Sequence, residues 1–144
     1  MIFKIAAVGK VKKKPLLELT AEYLKRINHY AAIEVVEIKD SNKQDECSRL
    51  LTLIDKEKAF CIALSEDGKE FSSRQFADKL SSIHSKILFV IGGPDGLTDE
   101  LKKRADMIFS LSKMTFPHEM ARMLLSEQLF RALNILRGGK YHND

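Results

Sequence analysis

The apolar positions of the 144-residue chain follow two rhythms in alternation. "IFKIAAVG", ending in Gly9, is a short, nearly continuous apolar run, as in a buried strand. "KKKPLLELTAEYLKRINHY" switches to helical spacing, with Leu16, Leu17, Leu19, Tyr23, Leu24 and Ile27 on its apolar side and Pro15 near its start. "AIEVVEIK" alternates as a strand, and "NKQDECSRLLTLIDK" reads as a helix with a weaker start signal. "AFCIALS" and "KILFVIGG" are buried strands. Between them lie a turn, "EDGKE", and a helix, "SSRQFADKLSSIH", that opens with capping serines. "TDELKKRA" is a helix with Thr98 as its N-cap, "DMIFSLS" a last strand, and "HEMARMLLSEQLFRALNILRG" a long helix. Strand and helix alternate throughout, with no repeat or linker. The pattern predicts one α/β domain over residues 1–144, a mostly parallel sheet of five strands with helices on both faces.

Ligands of such sheets bind beyond the carboxyl ends of the strands. Three loops follow the last three strands: "SEDG", "GGPDG" and "SKMTFPH". The middle one holds Gly92, Gly93 and Gly96, three of the seven glycines. No Gly-Lys-Ser/Thr follows, so it is not a phosphate-cradling P-loop, and its spacing and place do not fit the dinucleotide fingerprint. Glycines permit positive φ and let a ligand or another stretch of backbone come close. On this loop alone a tight turn and a ligand site remain equally open. The long helix that follows is apolar over most of its circumference. Ala121, Leu125, Ala132 and Leu136 share one face. Met120, Met123, Leu124 and Phe130 lie on another, around a narrow polar stripe of Glu127, Arg131 and Asn134. A surface helix needs one apolar stripe. Two predict burial against its own sheet and against a second copy of the chain, a homodimer.

Composition narrows the class. An apolar fraction of 44% fits a folded domain rather than a disordered one. No apolar run is long enough for a membrane span, and the N-terminus lacks the order of a secretory signal, so a cytoplasmic protein is expected. Cys47 and Cys61 form no CxxC or Cys/His cluster, which predicts free thiols and no metal. The net charge of +4 is unevenly spread. Residues 1–30 carry seven Lys/Arg against two acids, residues 31–70 six against ten, and residues 71–144 eleven against eight. A basic excess at both ends suits a polyanion if the ends meet in space, with Lys10, Lys12, Lys13 and Lys14 as a possible path; a solvated surface explains it as well.

"FVIGGPDGL", "SLSKMTFPHEMARMLLSEQLFRA" and the terminal "YH", with "IAAVGK" and "EYLKRI" near the start, resemble the 23S rRNA pseudouridine N3-methyltransferases of the SPOUT superfamily. The resemblance spans essentially the whole chain. It implies a Rossmann-like parallel sheet whose C-terminal part is tied in a deep trefoil knot. It implies S-adenosylmethionine as methyl donor, ring nitrogen 3 of pseudouridine 1915 as acceptor, and the assembled 70S ribosome as the form of 23S rRNA that is recognised. Carried over onto this chain, the cofactor contacts are Leu64, Gly92, Leu111, Ser112, Lys113, Met114, Thr115 and Phe116. Tyr141 and His142 match the family's terminal Tyr-His and are the catalytic candidates. The nitrogen to be methylated carries a weakly acidic proton, and His142 is the candidate base. His118 is a second candidate, and with Arg122 and Arg131 it forms the candidate RNA-contacting set. A helix ion pair with Glu127 accounts for Arg131 equally well. The family commonly has a basic residue after Tyr-His; Asn143 and Asp144 stand there instead, which removes the expected phosphate contact. A non-catalytic RNA- or nucleotide-binding module of the same fold is the alternative, as is a generic nucleotide-binding hydrolase, for which no nucleophile–base pair is visible.

Overall fold

A computed structural model describes all residues, 1–144. Five strands form one sheet, β1 (Ile2–Val8), β2 (Ala32–Ile38), β3 (Phe60–Glu70), β4 (Ile87–Ile91) and β5 (Met107–Ser110), in the spatial order β2-β1-β4-β3-β5. Every neighbouring pair is parallel. The helices between them are α1 (Lys14–Asn28), α2 (Lys43–Glu57), α3 (Ser73–Ser81), α4 (Asp99–Arg104) and α5 (His118–Leu136).

The near-continuous apolar runs are explained by burial on both faces. Phe3, Ile5 and Ala7 of β1, with Ile62, Ile87, Phe89 and Ile91, face α1, α3 and α5. Ala6 and Val8, with Cys61, Ala63, Leu88 and Val90, face α2 and α4. β4 lies at the centre, paired from Phe3↔Ile87 to Ala7↔Ile91 on one side and from Phe60↔Ile87 to Ala63↔Val90 on the other. All five of its residues are buried. A buried charge is paired at the amino end of β1: Lys4, 8% exposed, meets Glu57, which also accepts from Lys86 at 2.5 Å.

Local chemistry sets the helix starts. Thr98 caps α4, accepting from Leu101 N–H at 3.2 Å, as its sequence position predicts. Ser72 and Gln75 form a reciprocal capping box on α3. The weak start of α2 has a cap after all, since Asn42 Oδ1 accepts from Asp45 N–H at 2.8 Å.

Three expectations need correction. "EDGKE" is not the turn that ends β3. The strand leaves register between Leu64 and Lys69, both of which pair with Phe109, and then resumes against β5. Residues 65–68 are the excursion, and Gly68 closes it: a Cβ there would stand 2.7 Å from the Ile108 carbonyl. Acidic residues and glycine are depleted in strands, which is why the segment reads as a turn. Phe130 is also not on an outward face. It is 7% exposed, packed by Tyr23, Tyr30 and an edge-on Tyr141 ring 4.8 Å away. Leu136, grouped by periodicity with the inward residues, is exposed.

Candidate active site

The excursion within β3 and the loops after β4 and β5 converge on a cavity of about 740 Å³, within the size range of small-molecule sites. Its walls come from Leu64 to Glu66, from Ile91 to Leu97, and from the segment between β5 and α5; Lys43, Lys102, His118 and Ala121 complete it. Of the residues expected to hold a methyl donor, Leu64, Gly92, Leu111, Ser112, Met114, Thr115 and Phe116 line this cavity. Lys113 is exposed and does not. The β5–α5 segment is shaped by its serines: Ser110 Oγ donates to the Ser112 carbonyl at 2.8 Å, and Met114 N–H donates to Ser112 Oγ at 3.1 Å.

The glycine loop is constrained first by itself. Gly93 and Gly96 form an antiparallel bridge, with Gly96 N–H on the Gly93 carbonyl at 3.0 Å. Gly96 has φ +78°, a left-handed conformation that costs other residues about 1–2 kcal/mol. A Cβ on Gly92 would lie 2.9 Å from the Gly96 carbonyl oxygen, and one on Gly93 would lie 3.0 Å from Glu46 Oε1. The bare backbone is therefore required by the turn, whatever the cavity holds. Beneath it, Cys47 Sγ accepts from Thr98 N–H at 3.4 Å, and buried Glu46 accepts from Ser41 N–H at 2.8 Å.

His118 opens α5 at the cavity wall, and its Nδ1 is buried without a partner. A glycine stands opposite: a Cβ on Gly9 would approach His118 Cε1 to 3.5 Å. Apolar side chains within a largely polar lining, loop backbone and an unpaired ring nitrogen fit S-adenosylmethionine, whose flat adenine is joined to a polar, charged chain. Neighbouring Glu119 was not singled out by sequence, yet it organises the basic loop. Its Oε1 accepts from Lys12 N–H at 2.7 Å and Lys13 N–H at 3.0 Å, and these bonds, that from Lys13 foremost, hold its carboxyl below the usual range. The side chains of Lys10, Lys12, Lys13 and Lys14 are presented to solvent; of these only Lys14 forms an ion pair, with Glu18 at 4.0 Å.

Arg122 does not present itself to RNA in this chain. It is 4% exposed, and its guanidinium donates to Glu37 Oε2 at 2.6 Å and to the Gly9 carbonyl at 2.8 Å. It fastens α5 to the ends of β1 and β2.

Arg131, Tyr141 and His142 lie together near the far end of α5. Gly138, at φ +71°, ends the helix, and the chain folds back. Tyr141 N–H donates to Asn134 Oδ1 at 3.0 Å, and its hydroxyl donates to Glu127 Oε1 at 3.0 Å with Tyr23 OH 3.2 Å away. Burial and these hydrogen bonds push the Tyr141 phenol well above its ordinary pKa, so it is a neutral donor rather than a phenolate. Arg131 lies over the Tyr141 ring at 4.6 Å, bonds Glu127, and approaches His142 Nδ1 at 3.1 Å. His142 Nε2 meets Asp144 Oδ1 at 2.9 Å, and Asp144 pairs side-on with Arg74 of α3 at 2.7–2.9 Å. The tail is thus tied to three helices. No cluster of His, Cys, Asp or Glu has metal-binding geometry, and no helix is long and apolar enough to cross a membrane.

Five parallel strands with a cavity between the β3 excursion and the loops after β4 and β5 define the class: a family profile described as "Predicted SPOUT methyltransferase" matches residues 1–142, and the chain belongs to that family. Within it, the chain is 46% identical over 143 residues to the "Ribosomal RNA large subunit methyltransferase H" of Prochlorococcus marinus (strain NATL1A), covering 99% of this chain and 96% of the relative. It is 42% identical to the protein of the same name from Bacillus cytotoxicus, with 99% of both chains covered. Among solved structures, the tRNA (m1G37) methyltransferase from Aquifex aeolicus shares the fold, with a TM-score of 0.64 at 14% identity, over 100% of this chain and 76% of that one. The SpoU methyltransferase AviRb from Streptomyces viridochromogenes, in complex with AdoMet, does so with a TM-score of 0.53 at 9% identity, over 96% and 59%.

Proposed function

We propose that this protein transfers a methyl group from S-adenosylmethionine to ring nitrogen 3 of a pseudouridine in 23S rRNA, acting in the cytoplasm as a homodimer on the assembled 70S ribosome. The observation that carries the reading is the cavity. It gathers seven of the residues that the family resemblance assigns to the methyl donor, in a chain whose full-length relatives are named as large-subunit rRNA methyltransferases.

The donor's sulfonium supplies the methyl group and a good leaving group, so no metal is required. The chain's own work is placement and proton removal. Leu64, Leu111 and Phe116 supply apolar contact, and the backbone of the glycine and serine loops supplies hydrogen bonds. His142 takes the proton from the pyrimidine nitrogen. The exposed lysines of the loop held by Glu119 meet the phosphate backbone beside the cavity.

The two candidate halves of the site are separated along α5. Ala121 lines the cavity and Arg131 touches His142; ten helical residues at 1.5 Å each put about 15 Å between them. A second copy that sets its tail against this cavity closes the gap. Exposed Met114 and Met120 beside the cavity offer it apolar surface. The knot belongs to the same reading. β5 is the edge strand beyond β3, yet α5 packs between α1 and α3, so the chain must return past the β4 loop to reach its place.

Mass mapping of 23S rRNA from cells with and without the gene tests the reading. One pseudouridine fragment should lose a methyl group in the deletion strain. An unchanged map, with S-adenosylmethionine binding intact by calorimetry, would leave a methyltransferase with another substrate; no binding at all would leave the non-catalytic module.

A further inference from the structure

Both ring nitrogens of His142 are engaged, and the partners dictate which one carries the proton. A guanidinium can only donate, so Arg131 Nη1, 3.1 Å away, requires Nδ1 to accept. Nε2 then carries the hydrogen and donates it to Asp144 Oδ1 at 2.9 Å. Asp144 is in turn held by three bonds from Arg74, on a different helix. The His142 side chain is 13% exposed, whereas those of Asp144 and Arg74 are 66% and 56% exposed. An ion pair so open to water adds little to stability. Its effect is geometric: it fixes the Asp144 carboxylate, and through it the ring plane of His142.

We propose that Asp144 is a positioning residue for His142, and that Arg74 acts through Asp144. This rests on the reading of His142 as the base. The ring is held with Nδ1 as its basic nitrogen, and Arg131 occupies that nitrogen until the pyrimidine arrives. During transfer, nitrogen 3 gains the methyl carbon as the carbon–sulfur bond breaks, leaving its electron pair on sulfur. The ring proton passes to Nδ1. The resulting imidazolium keeps its Nε2–H on the Asp144 carboxylate, which offsets the new charge.

The test is steady-state methyl transfer by the full-length protein, using S-adenosylmethionine and 70S ribosomes from cells lacking the gene. Asp144→Ala should lower kcat about 10- to 100-fold, as loss of a carboxylate that orients a histidine does elsewhere. The KM for ribosomes and the calorimetric affinity for S-adenosylmethionine should stay unchanged. Asp144→Glu should restore most of the rate. Arg74→Ala should lower kcat less, and adding it to Asp144→Ala should cost nothing further. In a His142→Ala background, Asp144→Ala should have no effect. A wild-type kcat for Asp144→Ala would overturn the proposal. So would a loss that persists when His142 is absent, or one confined to ribosome KM, since Asp144 would then contact RNA. His142→Ala at the wild-type rate would instead sink the reading of the base, and is measured separately.

Discussion

Around the first turn of α5 the backbone is crowded: a Cβ on Gly92 would stand 2.9 Å from the Gly96 carbonyl oxygen, and the Arg122 guanidinium clamps the Gly9 carbonyl at 2.8 Å. At the last turns the molecule crowds charge against charge, in a chain of contacts from Glu127 through Arg131 and His142 to Asp144 and Arg74. The first end is made by steric exclusion, has one shape, and tolerates little change. The second is made of side-chain hydrogen bonds, half of them open to water, and each can be exchanged for a bond to a ligand. A site that must hold a small cofactor and also admit a large RNA needs both.

Substitutions should separate the two ends. His142→Ala should reduce methyl transfer to 70S ribosomes by about 10²–10⁴-fold while leaving the circular dichroism and S-adenosylmethionine affinity nearly intact. Gly92→Val should do the reverse. Overpacking a closed turn costs about 1–3 kcal/mol, so calorimetry should show cofactor affinity reduced by about 5- to 150-fold, with the tail undisturbed. Arg122→Ala should act on stability alone, by about 1.5–3 kcal/mol in urea unfolding, because it removes charged hydrogen bonds to Glu37 and the Gly9 carbonyl. It should leave the salt dependence of ribosome binding unchanged.

The smallest effect is a pH effect at the tail. Bonds from Arg74 hold the Asp144 carboxyl below the usual carboxylate range. A group depressed in this way contributes above its unfolded pKa of about 3.9 and loses that contribution as pH falls through its folded value. Acidification below pH about 4 should therefore shift the amide NMR signals of residues 141–144 while those of residues 88–91, which lead into the glycine loop and carry no titratable group, stay fixed. Simultaneous change at both ends would mean that they are one cooperative unit.

Most of the fold was legible in the sequence because strand and helix periods are local properties. Thr98, Pro15 and the run "KILFVI" mark their own elements. The glycine loop was legible as a place but not as a cause. Its crowding comes from Gly96 and Glu46, brought close by the turn and by α2, and no pattern of spacing shows that. β3 misled through composition: "EDGKE" avoids strands by propensity, but pairing with β5 overrides it. Phe130 misled through periodicity, since a tail that folds back over an outward face makes it inward. The tail network was the least legible part. Arg74 and Asp144 are 70 positions apart. An acid and a base at that separation carry no signal until the chain brings them together.

The account turns on the cavity and the tail serving one reaction from different chains, and mixing two variants, each impaired at one end, tests this most directly, at an S-adenosylmethionine concentration too low to load the weakened cavity. Gly92→Val then has an intact tail and an empty cavity; His142→Ala has the opposite. If the cavity of one chain works with the tail of its partner, a mixed dimer holds one intact site. Random exchange of equal amounts makes half of the dimers mixed, so methyl transfer to 70S ribosomes should return to about a quarter of the wild-type rate, once light scattering has shown that both variants dimerise. Recovery of no activity in a dimer known to have exchanged would place cavity and tail in the same chain and contradict the account.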